Sequence, residues 1–237
     1  QARNVWREKA PFFFLALFFA AIAIFSQQQA AALKNLESYG IGPRLAQAPF
    51  GVGFYLWKTV APPGLSPLYE IPPNYSFWNS ASLISGLAAL VISCCLILTR
   101  DRWSAGLACW LYYLTLLAPV LGLAQSGPQL VADRYSYLSC LSWAILAGGI
   151  LLVLLRRAER ERHRFRLASI AAGALAITLA LASLTWWQSF VWRDTETLWA
   201  HVIKTDPGGS YGHYNLAREI ARKGRYQDAM RHYREAL

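Results

Sequence analysis

The chain has 237 residues, of which 55% are hydrophobic and 15% are charged, and its formal net charge is +10. The charges are concentrated between long apolar runs, which is typical of a multi-spanning membrane protein and argues against a soluble globular domain. All four cysteines lie in apolar runs without metal-ligand spacing, so we expect them to pack inside the helix bundle and we predict no metal site.

Long apolar runs predict the membrane-spanning helices. A helix needs roughly 20 apolar residues to cross a hydrocarbon core of about 30 Å. Five runs meet or approach this length, namely 11–26, 77–98, 103–123, 138–155 and 167–187. A sixth run, 44–60, is interrupted by Pro49, Gly51 and Gly53, so it could span the membrane, re-enter it or lie along its surface.

Two segments between these runs hold the polar candidates for chemistry. The first contains Lys58 and continues into a stretch of prolines and glycine that forbids regular structure after Val60. Lys58 could bind a phosphate, or its ammonium group could extend from the apolar surface toward water. Glu70 could act as a general base, although a solvated loop carboxylate is the commoner case.

The second polar segment precedes the span at 138–155. Its candidate residues are two amides, an acid, a guanidinium and a phenol: Gln125, Gln129, Asp133, Arg134 and Tyr135. An arginine binds phosphate in bidentate fashion, and a neighbouring aspartate can orient it or accept a proton. The alternative is structural, with Asp133 and Arg134 forming a local ion pair that caps the helix starting near Tyr135.

A cluster of arginines predicts the topology. Arg156, Arg157, Arg160, Arg162, Arg164 and Arg166 fall in what the apolar pattern indicates is one short loop between two spans. The positive-inside rule places such a loop in the cytoplasm and explains the net charge without nucleic-acid binding. Residues after 187 then lie on the outward side, in the periplasm of a bacterial inner membrane or an equivalent compartment.

A tetratricopeptide signature follows the last apolar run. Eight residues occupy the small, aromatic or turn-forming positions of that repeat: Asn215, Leu216, Ala217, Gly224, Tyr226, Ala229, Tyr233 and Ala236. We therefore predict an all-α fold, with a transmembrane helix bundle over 1–187 followed by tetratricopeptide hairpins that begin in 188–237. Because such arrays need about three repeats for stability, we expect the sequence to be an internal fragment of a longer protein.

The order of several short motifs resembles a known family. Lys-Ala-Pro-Phe-Phe-Phe at 9–14, Tyr-Leu-Trp-Lys at 55–58, Leu-Ser-Pro-Leu-Tyr at 65–69, the polar segment at 125–138, Trp199 and the repeat occur in this order. The series is similar to the carboxy-terminal half of the membrane-plus-repeat proteins related to protein O-mannosyltransferases. These proteins resemble multi-spanning glycosyltransferases of the C superfamily.

The resemblance implies an enzyme that transfers a sugar, with inversion, from a polyprenyl phosphate to an acceptor hydroxyl on the outward face. It implies no cofactor, leaves metal dependence open, and places the principal catalytic acid in an outward loop upstream of this fragment. Asp133 and Arg134 match the family's Ala-Asp-Arg-Tyr motif and are expected to contact the donor phosphate or form the active-site wall. Lys58 is expected behind them. The implied partners are membrane lipid, a lipid-linked sugar, and an acceptor protein or envelope partner bound by the repeats.

Two alternatives remain open. The chain could be a non-catalytic membrane scaffold whose repeats recruit envelope proteins, although a plain anchor does not need irregular polar segments at the outer surface. It could also belong to a ligase or polymerase of lipid-linked oligosaccharides. That enzyme would share the donor class and differ in its acceptor.

Overall fold

The computed structural model describes residues 2–29, 41–73, 75–76, 78–122 and 127–237, and this part of the chain is mostly helical. Its α-helices are α1 (Ala2–Gln29), α2 (Ile41–Val60), α3 (Ser80–Leu98), α4 (Ser104–Leu117), α5 (Ser136–Ser139), α6 (Leu141–Arg160), α7 (Arg164–Val191), α8 (Thr195–Thr205), α9 (Ser210–Arg222) and α10 (Tyr226–Glu235). Two short strands, β1 (Tyr69–Glu70) and β2 (Gln129–Val131), lie between the helices.

Three helices in the described ranges are long and apolar enough to cross a membrane: α3, α6 and α7. They contain the predicted runs at 77–98, 138–155 and 167–187 almost entirely. Large apolar side chains on these helices are exposed, such as Ile84 and Ile177, as expected for surfaces that face lipid. Together these features indicate a membrane protein.

The other predicted runs form helices with different bounds. α4 is shorter than the predicted run at 103–123, because a 3₁₀ turn with Pro119 follows Leu117. α1 covers the run at 11–26 and begins near the amino terminus. Whether α1 crosses the membrane stays a prediction.

The run at 44–60 lies in one continuous helix, α2, although Pro49, Gly51 and Gly53 interrupt its apolar residues. Whether α2 spans the membrane, re-enters it or lies along its surface stays a prediction. Its glycines mark close contacts and do not break the helix. A Cβ atom on Gly53 would lie 2.3 Å from Ser85 Oγ of α3, and one on Gly51 would lie 2.8 Å from Leu121 Cδ2. Pro49 packs beside Gly86 of α3. The small residues therefore let α2 and α3 pack together.

Aromatic residues form the core between α2, α4 and α6. Tyr55, Trp110 and Tyr113 are almost completely buried, and the rings of Trp110 and Tyr113 stack with centroids 5.5 Å apart. The Tyr113 hydroxyl donates to the carbonyl of Val52 at 2.6 Å, which satisfies the polar end of a buried ring. The expectation that all four cysteines lie inside the bundle is only partly right, since Cys94 and Cys95 are exposed.

The basic cluster lies mainly on helix ends, which corrects the prediction of one loop at 156–166. Three of its arginines belong to α6 and two belong to α7: Arg156, Arg157 and Arg160, then Arg164 and Arg166. Only residues 161–163 connect the helices. Glu161 forms ion pairs with Arg157 of α6 and Arg166 of α7. These pairs connect the two helices at the exposed end where the arginines cluster.

The all-α prediction missed a small antiparallel ladder. Tyr69 of β1 pairs with Val131 of β2, and Glu70 pairs with Gln129. The amide of Ile71 also donates to the carbonyl of Pro128 at 3.1 Å. The irregular segments before α3 and after α4 thus provide hydrogen-bond partners for some of each other's backbone N–H and C=O groups.

A helical hairpin occupies the predicted repeat. α9 and α10 pack around buried Leu216, Ile220 and Ala229, and Gly224 turns the chain between them with a φ of +80°. Asn215 donates to the Tyr211 carbonyl. Of the other signature residues, Ala217 is buried, Tyr233 packs against this core, Tyr226 is exposed and Ala236 follows the end of α10. A tetratricopeptide arrangement stays a prediction.

Candidate functional site

Four of the six predicted site residues meet in one cluster. Gln129, Asp133, Arg134 and Tyr135 lie on and after β2, where the loop at 61–68 crosses them. Lys58, at the end of α2, contacts the other side of that loop. Gln125, the sixth predicted residue, lies outside the described residues.

The carboxylate of Asp133 binds the loop at 61–68 and the strand that follows it. Its Oδ2 atom accepts hydrogen bonds from the Ser66 amide at 2.6 Å and from the Tyr69 hydroxyl at 2.9 Å. Its Oδ1 atom is buried and has no hydrogen-bond partner among the described residues. Burial raises the pKa of Asp133, while the bonds from Ser66 and Tyr69 and the charge of Lys58 partly oppose the shift. Burial, followed by the charge of Asp133, also raises the pKa of Tyr69.

Arg134 faces outward next to this buried carboxylate. Its guanidinium donates to the Pro67 carbonyl at 2.9 Å and to the Tyr135 hydroxyl at 3.2 Å, and it lies 4.9 Å from the centre of the Tyr135 ring. The local ion pair with Asp133 that the sequence left open is replaced by these separate bonds. The exposed guanidinium keeps further donors for an anion.

Lys58 supplies a second cation. Its ammonium group donates to the carbonyls of Pro63 and Gly64 and lies 5.5 Å from the ring centres of both Phe54 and Tyr69. These carbonyls solvate the charge at the edge of an apolar region. The loop at 61–68 is therefore held by cations on two sides, with Lys58 near its start and Arg134 near its end.

Three residues outside the predicted set, Tyr55, Ser66 and Tyr69, complete the cluster. The Tyr55 hydroxyl accepts from the Ala132 amide at 3.1 Å, while two predicted residues bind each other, with Gln129 donating to the Tyr135 hydroxyl at 3.0 Å. Ser66 supplies the amide that binds Asp133. The motifs at 55–58 and 65–69 contain Tyr55, Ser66 and Tyr69, but their contacts with Ala132 and Asp133, just after β2, join positions more than 60 apart in sequence.

An apolar crevice of about 700 Å³ lies beside the loop. Its lining comes from the loop, the carboxy-terminal part of α7 with the residue after it, and one residue of α8, including Pro63, Leu65, Leu181, Leu184, Trp187 and His201. Gln188 donates to the Leu65 carbonyl at 2.8 Å, and His201 Nε2 lies 3.0 Å from the same oxygen. The crevice can take an apolar chain, and the Lys58 ammonium group binds two residues of its rim.

Glu70 connects the ladder to the helical hairpin. Its carboxylate accepts from the Tyr211 amide at the start of α9, and its own amide donates to Asp206 at 3.1 Å. Glu70 is therefore neither a plain solvated carboxylate nor a group that faces the cations of the loop.

These features define a helical membrane protein with a cationic, aromatic cluster beside an apolar crevice. The chain is 25% identical over 234 residues to protein O-mannosyl-transferase TMTC1 of the mouse, Mus musculus. The aligned region covers 95% of this chain and 24% of that protein, so the chain spans about a quarter of its length. This similarity supports a distant relationship. No family model and no solved structure matches the chain.

Proposed function

We propose that this chain is part of a membrane glycosyltransferase that moves a sugar from a polyprenyl-phosphate donor to an acceptor hydroxyl on the outward face. The distant similarity to a protein O-mannosyl-transferase supports the reaction class. The observation that carries the assignment to this site is the binding of two cations, Lys58 and Arg134, to carbonyls of one loop beside an apolar crevice.

The crevice and the cations fit the two parts of a lipid-linked donor. A polyprenyl chain is apolar and can lie along Leu65, Leu181 and Leu184 at the outer part of α7. Its phosphate is an anion, and Lys58 and Arg134 can exchange carbonyl partners for phosphate oxygens. The ring of Tyr135 holds the guanidinium in place.

The chemistry assigns separate roles to the neighbouring charges. As the sugar leaves, negative charge develops on the lipid phosphate, and Arg134 and Lys58 stabilise it. Asp133 is a positioning residue, because its carboxylate binds the loop and its Oδ1 atom is buried. A carboxylate upstream of this chain takes the acceptor proton.

The helical hairpin would bind the acceptor protein. Through Glu70, α9 contacts the same ladder that carries the cluster, so a protein bound by the repeats would lie near the loop. In this proposal the cluster and the hairpin lie on the outward side, because the positive-inside rule favours a cytoplasmic location for the arginines at the ends of α6 and α7.

The test uses the complete protein in lipid nanodiscs with synthetic mannosyl and glucosyl polyprenyl phosphates. Charge-assisted hydrogen bonds are worth about 1.5–3 kcal/mol, so Arg134→Ala should lower the transfer rate about 10- to 150-fold. Arg134→Lys should retain part of the activity. Arg160→Ala is the matched control, because this exposed arginine lies at the far end of α6.

Equal rates for Arg134→Ala and the wild-type protein would contradict the placement of the donor phosphate. Failure of the wild-type protein to use any polyprenyl-phosphate sugar would contradict the proposed reaction and favour the scaffold alternative. Partition of all variants into the membrane, checked by sedimentation, separates a catalytic defect from failed insertion.

A further inference from the structure

Two histidines and a glutamate converge between the helices of the hairpin. His213 lies on α9, and His232 and Glu235 lie one turn apart on α10. The expectation of no metal site is based on sequence spacing, and these residues, 19 and 22 positions apart across the hairpin, have no metal-motif spacing. The three ligands become neighbours only when the two helices pack against each other.

The three ligand atoms form a nearly equilateral triangle. His213 Nδ1 lies 3.2 Å from His232 Nδ1 and 2.9 Å from Glu235 Oε2, and His232 Nδ1 lies 3.3 Å from the same carboxylate oxygen. Tetrahedral zinc with bonds of about 2.0–2.1 Å requires ligand atoms about 3.3 Å apart. The observed distances therefore match one face of a zinc tetrahedron after small side-chain adjustments.

The surroundings of the triangle also suit a bound cation. The side chains of His213 and His232 are only 10% and 14% exposed, whereas that of Glu235 is 46% exposed. The imidazoles are thus held by the packed helices, and the half-exposed carboxylate leaves the cluster accessible to water and to an ion from solution. A set of two imidazoles and one carboxylate favours zinc or a related transition metal over magnesium or calcium.

We propose that His213, His232 and Glu235 form a zinc site that links α9 to α10. Without metal, protons on the imidazole nitrogens let the three groups form hydrogen bonds with one another. A bound zinc ion would take the place of these protons. Because it connects the two helices of the hairpin, zinc should stabilise their packing. This proposal is independent of the proposed sugar transfer.

In the test, the full chain in nanodiscs is stripped of metal with a chelator, dialysed free of the chelator and titrated with zinc, and the bound zinc is then measured. We expect one zinc per chain for the wild-type protein and for His163→Ala, which removes an exposed histidine between α6 and α7. His213→Ala, His232→Ala and Glu235→Gln should each weaken zinc binding by at least about tenfold, since even the loss of groups that support ligands has effects of this size. Magnesium should not compete.

A second readout separates loss of the ion from loss of the fold. Zinc should slow hydrogen exchange of the α9 and α10 amides in the wild-type protein, because it stabilises the folded hairpin. Zinc should leave the exchange of these amides unchanged in Glu235→Gln. Stoichiometric binding that survives in all three variants would overturn the proposal. So would the absence of zinc binding in the wild-type chain, which would leave a hydrogen-bonded triad without a metal.

Discussion

The carboxylate of Glu70 accepts a hydrogen bond from the amide of Tyr211 at 2.7 Å, although the two residues are 141 positions apart. Tyr211 is the second residue of α9, where the first N–H groups of a helix have no partner within the helix. The Ser210 hydroxyl donates to the same carboxylate at 3.3 Å. The negative charge also interacts favourably with the helix dipole. One residue of the ladder therefore anchors the start of the hairpin.

Glu70→Ala should loosen α9 at its amino-terminal end. Loss of a capping carboxylate costs about 1 kcal/mol, so the amides at 210–213 should exchange with solvent about five times faster. Glu70→Gln should have a smaller effect, because an amide oxygen still accepts the bonds. The measurement is native-state hydrogen exchange with mass spectrometry.

The matched control for Glu70 is Asp228→Ala, which removes an exposed acid from the first turn of α10. Its effect should stay within α10. Faster exchange at 210–213 in the control, or no change there in Glu70→Ala, would refute the anchoring role.

The helices were predictable because long apolar runs have few alternative structures in a membrane. The runs at 77–98 and 167–187 required only a comparison of length with membrane thickness. The ladder between β1 and β2 was not predictable in this way, since its two short strands have no apolar alternation of their own. Their pairing joins segments that are separated in sequence by α3 and α4, so neither strand's own residues reveal it.

The candidate site was predictable as a set of residues but not as a set of contacts. Adjacent opposite charges suggested an ion pair between Asp133 and Arg134. In the 3₁₀ turn at Asp133–Tyr135 the acid instead points toward Ser66, while the guanidinium lies against Pro67. The residue types are evident in the sequence, whereas their hydrogen-bond partners depend on how the loop at 61–68 crosses the turn.

Asp133 should make stability depend on pH. Because its folded pKa is raised above the ordinary value of 3.8, the folded state binds more protons than the unfolded state just above that value. The free energy of unfolding should therefore fall as the pH rises from the ordinary pKa through the folded pKa. Asp133→Asn should remove this contribution while its oxygen still accepts from Ser66 and Tyr69.

Thermal unfolding in nanodiscs, followed between pH 3.5 and pH 7, tests this dependence. Asp133→Ala serves as the comparison, because it leaves the Ser66 amide unpaired and should destabilise the protein at every pH by about 1–3 kcal/mol. Identical pH profiles for Asp133→Asn and the wild-type protein would show that Asp133 is not the titrating group.

Gly53→Ala should destabilise the packing of α2 against α3. The new Cβ would lie 2.3 Å from Ser85 Oγ, 2.6 Å from Ser85 Cβ and 3.3 Å from Ser85 Cα, so rotation of a hydroxyl cannot relieve the clash and the helices must separate. Overpacking of this kind costs about 1–3 kcal/mol. The free energy of unfolding in detergent micelles measures the loss.

Gly42→Ala is the control for this contact, since it lies on the same helix and a Cβ there meets no atom within 4 Å. It should be neutral or slightly stabilising, because alanine favours a helix more than glycine does. Ser85→Gly combined with Gly53→Ala should recover part of the stability, since it removes the two nearest atoms. An equal loss of stability in Gly42→Ala and Gly53→Ala would contradict this prediction. It would mean that the close approach of α3 is not the reason for glycine at position 53.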